Sequence, residues 1–246
     1  MNDCIAIFGA VKEEIAGIKQ AMNISDHMRL GKTSAWPGKW GKQSIVLVRS
    51  GVGQQRAEDA TLQVIDRFQP STLVSIGYAG AVQPELNVGD LVIADTIIEE
   101  NKKGKYSPDS DWLNRAKDVP CPEGFKAIVG GLLTVANVIH DSLSKQELGK
   151  NYSVQAVEME TSAIAKVAEE KDLPLLSLRV ISDRLDQELL DSSSFLGSDG
   201  EISALKAGWY VLTHPDSIKS ALSLRSQTQI ATQALTKFLS DLLHYY

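Results

Sequence analysis

The sequence is short of the features that mark secreted and polymer-binding proteins. Its 246 residues include two cysteines, Cys4 and Cys121, too few for a disulfide framework in a chain of this length. Basic side chains are outnumbered, 25 against 31 acidic ones, and the net charge is -6. No basic stripe for a nucleic-acid polymer is therefore expected. These scarcities predict a soluble protein of the reducing cytoplasm.

Long apolar runs and metal-ligand patterns are also missing. No apolar stretch reaches the roughly 20 residues that span a bilayer. The first residues, Met1 to Gly9, form a short apolar run preceded by an acid, unlike a secretion signal with its basic start. The four histidines are scattered without ligand spacing, at His27, His140, His214 and His244. We therefore predict no transmembrane segment, no metal and no other cofactor.

The apolar runs that are present are short and rich in β-branched residues. Six of them are typical of buried strands: Cys4 to Phe8, Ser44 to Val48, Thr72 to Ile76, Leu91 to Ile98, Val129 to Val135 and Leu175 to Ile181. Helical patterns separate several of these runs, at Lys12 to Met22, Arg56 to Phe68 and Glu160 to Lys171, and an amphipathic one covers Asp216 to Leu243. Strands that alternate with helices form mostly parallel sheets. We predict one domain over residues 1–246, an α/β fold with three layers (α/β/α) around a mixed, mostly parallel sheet.

Four segments have an irregular or glycine-rich composition. Asn101 to Phe125 and Asp186 to Gly208 are predicted to be loops near a site, with solvated connectors as the alternative. Ser50 to Ala57 is a glycine turn into a helix, whose amide hydrogens could receive an anion or a hydroxyl oxygen. Ser75 to Ala81 is interpreted as a second glycine turn, which either leaves room for a ligand or simply reverses the chain.

Carboxylates lie at the ends of several predicted elements. Glu14 is in the first turn of a helix that follows the first strand, where it could cap the helix or face a crevice at the sheet edge. Glu158 and Glu160 are two residues apart, and a carboxylate is a natural acceptor for a vicinal diol such as that of ribose. Asp183 ends a strand with Arg179 on its side, and pairing of these two charges is the structural alternative.

Read together, these residues resemble the nucleoside phosphorylase superfamily, and specifically its branch of methylthioadenosine/S-adenosylhomocysteine nucleosidases. The resemblance covers nearly the whole chain. Six segments carry it in the order of the family: Gly9 to Glu14, Ser50 to Gly53, Gly77 to Gly80, Gly89 to Val92, Val157 to Glu160 and Arg179 to Asp183.

The resemblance implies a division of roles. Asp183 would be the general acid that protonates N7 of the departing purine, and Glu14 would activate the attacking water. Glu160 would bind the ribose diol, while Arg179 would help to hold the water and the ribose side. The other residues implied around the substrate are Tyr78, Gly80, Val138, Ile139, Glu158, Met159 and Ser182. Among these, Met159 would pack on the sugar, Ser182 would steer Asp183, and Val138 with Ile139 would line the purine pocket.

The implied activity is hydrolysis of the N-ribosidic bond of a 5′-substituted adenosine, and the implied partner is a small purine nucleoside. The segment Gly208 to Pro215 looks more like the hopanoid-associated subgroup, so an adenosylated lipid is an alternative substrate. Arg49 and Arg56 flank the first glycine turn and could bind phosphate, so a phosphorylase is an alternative, although Glu14 suits water better than phosphate. A non-catalytic nucleoside-binding protein is the alternative of another class, because Tyr78 stands where nucleosidases commonly carry a small hydroxyl residue. The resemblance also implies a homodimer or a higher homo-oligomer.

Overall fold

The computed structural model describes residues 4–102, 104–187 and 217–244. The strands are β1 (Cys4–Gly9), β2 (Asn23–Ile24), β3 (Met28–Leu30), β4 (Thr33–Trp40), β5 (Gln43–Arg49), β6 (Thr72–Ala81), β7 (Leu91–Glu99), β8 (Lys105–Tyr106), β9 (Ala127–Thr134), β10 (Ala156–Glu158) and β11 (Leu175–Asp183). The helices are α1 (Lys12–Ala21), α2 (Gln54–Phe68), α3 (Ser110–Asp118), α4 (Ser142–Tyr152), α5 (Thr161–Glu170) and α6 (Ser217–His244). A short 3₁₀ turn covers Glu100–Lys102.

The strands form one mixed sheet in the order β10-β9-β7-β11-β6-β1-β5-β4-β2, with β3 on β4 and β8 on β7. Its centre is parallel: β1 lies between β5 and β6, and β11 lies parallel to β6. Antiparallel pairs occur around β4 and where β7 meets β11. Because β10 pairs with both β9 and β6, the strands β6, β10, β9, β7 and β11 close into a ring. The ring brings the ends of β6, β10 and β11 together.

Helices cover both faces of the sheet. Apolar residues of α2 and α5, such as Ala60 and Ile164, belong to one buried cluster with one face of the strands. Residues of α1, α3 and α6, such as Ile18, Ala116 and Phe238, belong to a second cluster with the other face. The predicted α/β/α sandwich is therefore confirmed, because each face buries its apolar side chains against its own helices.

The amphipathic pattern near the C-terminus is a helix, as predicted. α6 packs on α1 and β11. Its apolar stripe is buried, at Ala231, Ala234, Leu235, Phe238, Leu239 and Leu242. Within the described parts of the chain, each helix is too short or too polar to cross a membrane.

Several local predictions are wrong. Ser75 to Ala81 is not a turn, because β6 runs through the whole segment. Asn101 to Phe125 is not a loop throughout, because it contains α3, whose N-cap Asp109 accepts hydrogen bonds from the amides of Asp111 and Trp112. Most of Asp186 to Gly208, and all of Gly208 to Pro215, lies outside the described residues.

Candidate active site

A cavity of about 210 Å³ opens beside the ring of strands. Ten of the eleven predicted site residues line it: Glu14, Tyr78, Gly80, Val138, Ile139, Glu158, Met159, Glu160, Ser182 and Asp183. The eleventh, Arg179, is 1% exposed and lies behind the lining residues, where it binds Glu158. The structure therefore brings the predicted residues together, although they come from five separate segments of the chain.

Two glycines of β6 make room for the acids. A Cβ atom at Gly77, where φ is 155°, would lie 2.5 Å from Glu14 Oε1 and 2.6 Å from Arg179 Nη1. A Cβ atom at Gly80 would lie 2.9 Å from Asp183 Oδ2. Three residues along a strand span roughly 10 Å. The two glycines thus separate a site around Glu14 from a site around Asp183.

The carboxylate of Glu14 both caps helix α1 and binds the backbone amide of Tyr78. Its Oε2 accepts hydrogen bonds from the amides of Ala10 (2.6 Å) and Val11 (3.0 Å), which caps the start of α1. Its Oε1 accepts from the amide of Tyr78 at 2.9 Å. Burial raises the pKa of Glu14 above its ordinary value, more than Arg179 and these three amides lower it. A buried carboxylate with a raised pKa is suited to take a proton.

The carboxylate of Glu158 is bound by several donors of the protein. Its oxygens accept from Thr134 Oγ1 (2.5 Å), the amides of Glu160 and Thr161, Thr161 Oγ1 and Arg179 Nη2 (2.7 Å). Burial alone would raise the pKa of Glu158, but Arg179 and these hydrogen bonds hold it below its ordinary value. Arg179 therefore pairs with Glu158, and the alternative pairing of Arg179 with Asp183 is wrong. Of the two neighbouring acids, this leaves Glu160 for a ligand.

Within the described residues, the carboxylate of Glu160 accepts one hydrogen bond, from the amide of Gly53 at 2.8 Å. That amide belongs to the predicted glycine turn at the start of α2, where Gly53 has φ 96°. Burial, followed by the charge of Glu158, raises the pKa of Glu160 to about 8, although Arg179 opposes the change. Glu160 is therefore an under-satisfied buried acid that faces the cavity.

The raised pKa of Glu160 gives a prediction about stability. A carboxyl group whose pKa is near 4.5 in the unfolded chain and about 8 in the fold binds a proton more tightly when folded. Its contribution to the free energy of unfolding is present at low pH. That contribution is lost as the pH rises from about 5 to 8, a decrease on the order of 3 kcal/mol. We expect urea unfolding of the wild type to show this loss, and Glu160→Gln to remove it. Glu169→Gln, an exposed change on α5, the helix that follows Glu160, is the control; equal pH slopes for wild type and Glu160→Gln would contradict the prediction.

Asp183 is held by two donors from different elements. Ser182 Oγ donates to its Oδ1 at 2.7 Å, and Lys145 Nζ forms an ion pair with its Oδ2 at 2.6 Å. Lys145 lies on α4 and lines the cavity. No sequence pattern indicates this role, because a lysine in the polar stretch Ser142 to Tyr152 is typical of an exposed position.

Tyr78 lines the cavity, and its hydroxyl contacts the last helix. The hydroxyl lies 2.5 Å from Thr232 Oγ1 on α6. Burial, the largest cause, raises the pKa of Tyr78. The backbone amide of Tyr78, rather than its side chain, serves Glu14, so a tyrosine at this position is compatible with a water beside Glu14.

The remaining wall is mostly apolar. It is formed by Val52, Val135, Val138, Ile139, Val157 and Met159. An apolar wall with a few polar groups is the usual surface for the flat face of a base and a sugar. Within the described residues, no three His, Cys, Asp or Glu side chains are grouped as metal ligands.

Comparisons with known proteins give a consistent result. The family model described as "Phosphorylase superfamily" matches residues 4–204. The 5′-methylthioadenosine/S-adenosylhomocysteine nucleosidase of Listeria monocytogenes is 31% identical over 75% of this chain and 88% of its own length. The enzyme of the same name from Staphylococcus epidermidis is 24% identical over 79% and 96%.

Solved structures agree in fold. The nucleosidase of Neisseria meningitidis in complex with methylthio-immucillin-A has a TM-score of 0.78 at 22% identity, over 99% of this chain and 100% of the other. The futalosine hydrolase of Helicobacter pylori has a TM-score of 0.79 at 20% identity, over 100% and 99%.

Proposed function

Because this chain belongs to the phosphorylase superfamily and matches its methylthioadenosine/S-adenosylhomocysteine nucleosidases, we propose that it is a purine nucleoside N-glycosidase. It would hydrolyse the N-ribosidic bond of a 5′-substituted adenosine. The observation that carries the proposal is that Glu14, Glu160 and Asp183 line one cavity with an apolar wall. These groups match the three needs of the reaction, namely a base for water, an acceptor for the ribose diol and an acid for the leaving purine.

At the purine end, Asp183 is the general acid. Its proton passes to N7 of the base while the electrons of the C1′–N9 bond move onto the ring, so the base leaves as a neutral molecule. Val138 and Ile139 line the same cavity and offer an apolar surface to the base. Ser182 holds the carboxyl group in place through its hydrogen bond to Oδ1.

At the sugar end, Glu14 is the base. The water loses a proton to Glu14 and its oxygen bonds to C1′ of the ribose, which has an oxocarbenium-like charge at that stage. Glu160 accepts the ribose hydroxyls and Met159 packs on the sugar. Arg179 supports this side indirectly, because its charge is balanced against Glu158 and it lies behind Glu14 at Gly77.

The charges of the cavity favour water over phosphate. Three carboxylates, those of Glu14, Glu158 and Glu160, line it. Among the described lining residues the one basic side chain is Lys145, which is engaged by Asp183. Arg49 and Arg56 are not among the lining residues. A phosphate dianion needs charged donors, and the one cation among the described lining residues is already paired with Asp183, so hydrolysis is the preferred reaction.

Adenine release from methylthioadenosine, measured with and without inorganic phosphate, tests the proposal. We expect the same rate in both, with ribose rather than ribose phosphate as the sugar product. Parallel assays with S-adenosylhomocysteine and unsubstituted adenosine show which 5′ substituent the protein prefers.

Strict dependence on phosphate would establish a phosphorylase instead. No release from any adenosyl nucleoside, combined with calorimetric binding, would establish a binding protein. The Asp183→Asn chain is the negative control, because any contaminating nucleosidase would persist in it.

We further propose that the protein is a cytoplasmic homo-oligomer, in the first instance a homodimer. The chain has two cysteines, too few for a disulfide framework, which suits a reducing compartment. Leu143 on α4 is 73% exposed, two residues before the cavity-lining Lys145, and in the proposed dimer a partner chain would cover it. A monomer mass by light scattering at micromolar concentration would contradict this.

A further inference from the structure

Lys145 is a lysine with no exposed surface, and it lies at the purine end of the cavity. Lysine is almost never fully buried unless it is paired, because the ammonium must exchange its water for protein acceptors. None of the roles above uses this residue. A buried cation that lines a cavity is therefore a candidate for a role in the chemistry of the site.

The ammonium group has an acceptor for each of its three hydrogens. Its Nζ donates to Asp183 Oδ2 at 2.6 Å, to the carbonyl of Arg184 at 3.0 Å and to the carbonyl of Gln187 at 3.1 Å. All three acceptors lie in the few residues that begin at the end of β11. Lys145 thus fastens α4 to the short segment that carries Asp183.

These contacts leave one oxygen of Asp183 for the substrate side. Oδ2 is bound by Lys145 and lies beside Gly80, where an added Cβ atom would come within 2.9 Å of it. Oδ1 has the hydroxyl of Ser182 at 2.7 Å, and a hydroxyl can turn from donor to acceptor. A proton on Oδ1 is therefore compatible with the Lys145 contact, and its transfer leaves a carboxylate directly beside the ammonium.

We propose that Lys145 is a positioning residue for the general acid: it fixes Asp183 and stabilises the carboxylate that forms when the proton passes to the purine. This inference rests on the proposed function. The proton leaves Asp183 Oδ1 for N7, the electrons of the C1′–N9 bond go to the purine, and water supplies hydroxide to C1′ and a proton to Glu14. Lys145 keeps its own proton throughout and contributes charge and orientation.

A comparison of two leaving groups tests the inference. Adenine needs a proton in order to leave, whereas para-nitrophenolate leaves readily as an anion. We would compare methylthioadenosine with the para-nitrophenyl riboside that carries the same 5′ group. If Lys145 acts through the acid, Lys145→Met lowers kcat on the nucleoside by about 10²-fold or more. The same variant changes KM, and kcat on the nitrophenyl riboside, by less than about 5-fold.

Further variants separate this role from a structural one. Lys145→Arg restores a cation and should recover at least about 10-fold of the lost nucleoside rate. In the Asp183→Asn background, Lys145→Met should lower kcat on the nucleoside little further, because the two residues act through one step. Lys150→Met removes an exposed cation from the same helix and serves as the control. Thermal unfolding accompanies each variant, and Lys145→Gln replaces Lys145→Met if the latter does not fold.

Equal losses on both substrates would overturn the inference and make Lys145 a purely structural residue. An unchanged nucleoside rate in Lys145→Met would overturn it as well. Both outcomes leave the proposed function intact, because the wild type still cleaves its substrate. A wild-type chain that cleaves neither substrate overturns the proposed function and, with it, the inference.

Discussion

Asp183→Asn is expected to lower kcat for methylthioadenosine by about 10²- to 10⁴-fold, the usual contribution of a general acid. Asparagine has the same shape: its amide oxygen can still accept from Lys145, and its NH2 group can donate to the hydroxyl of Ser182, so the site keeps its form. It has no acidic proton for N7, and the purine would have to leave as an anion. Binding of the nucleoside, measured by calorimetry, should stay within about 5-fold of the wild type.

Asp186→Asn is the matched control for this experiment. Asp186 lies three residues further along, exposed, in an ion pair with Arg184, and its replacement should leave kcat unchanged. Near-normal turnover by Asp183→Asn would remove Asp183 from the mechanism. Loss of binding together with turnover would instead assign it to the shape of the cavity.

Glu14→Gln is expected to have an effect of similar size, because the variant has no base for the water. The amide oxygen of glutamine can still accept a hydrogen bond at the start of α1, so the fold should be retained. Glu14 must be ionised to accept a proton. Since burial raises its pKa, kcat/KM of the wild type should fall on the acid side at a higher pH than a free carboxyl group would give. The residual activity of the glutamine variant should lack this fall.

Glu13→Gln is the control for Glu14. Glu13 is next in the chain, but it is in a solvent-exposed contact with Lys12, and such pairs contribute little. Steady-state rates from pH 4 upwards would provide the comparison. Unchanged hydrolysis by Glu14→Gln, or an acid limb that persists in it, would exclude Glu14 as the base.

The acids of the site could be predicted from the sequence because each lies in a local pattern. Glu14 follows a strand and a glycine, and Glu160 and Asp183 lie at the ends of apolar segments. The structure was needed to show which of these acids is held by the protein and which faces a ligand. Thr134, Thr161 and Arg179 come from three different elements to satisfy Glu158, and nothing in the spacing of Glu158 and Glu160 indicates which acid is taken.

Elements with short or mixed patterns could not be predicted. α4 carries mostly polar residues, and its partner surface is a small cluster with Val82 and Val154 rather than the main core. β4 contains Pro37 and Gly38, which usually argue against a central strand. β10 has three residues and is defined by its neighbours β9 and β6. Lys145 was missed for the same reason, because tertiary contacts alone bury it.

The hydrogen bond between Tyr78 and Thr232 joins residues 154 positions apart. Thr232 Oγ1 also lies within hydrogen-bond distance, 3.2 Å, of the carbonyl of Glu13, next to Glu14. The last helix thus helps to position Glu14, although none of its described residues lines the cavity. Replacement of Thr232 by valine would leave the hydroxyl of Tyr78 without this partner and remove the contact with the carbonyl of Glu13. The buried apolar stripe of α6 would stay in place, so such a variant should keep its fold and lose rate.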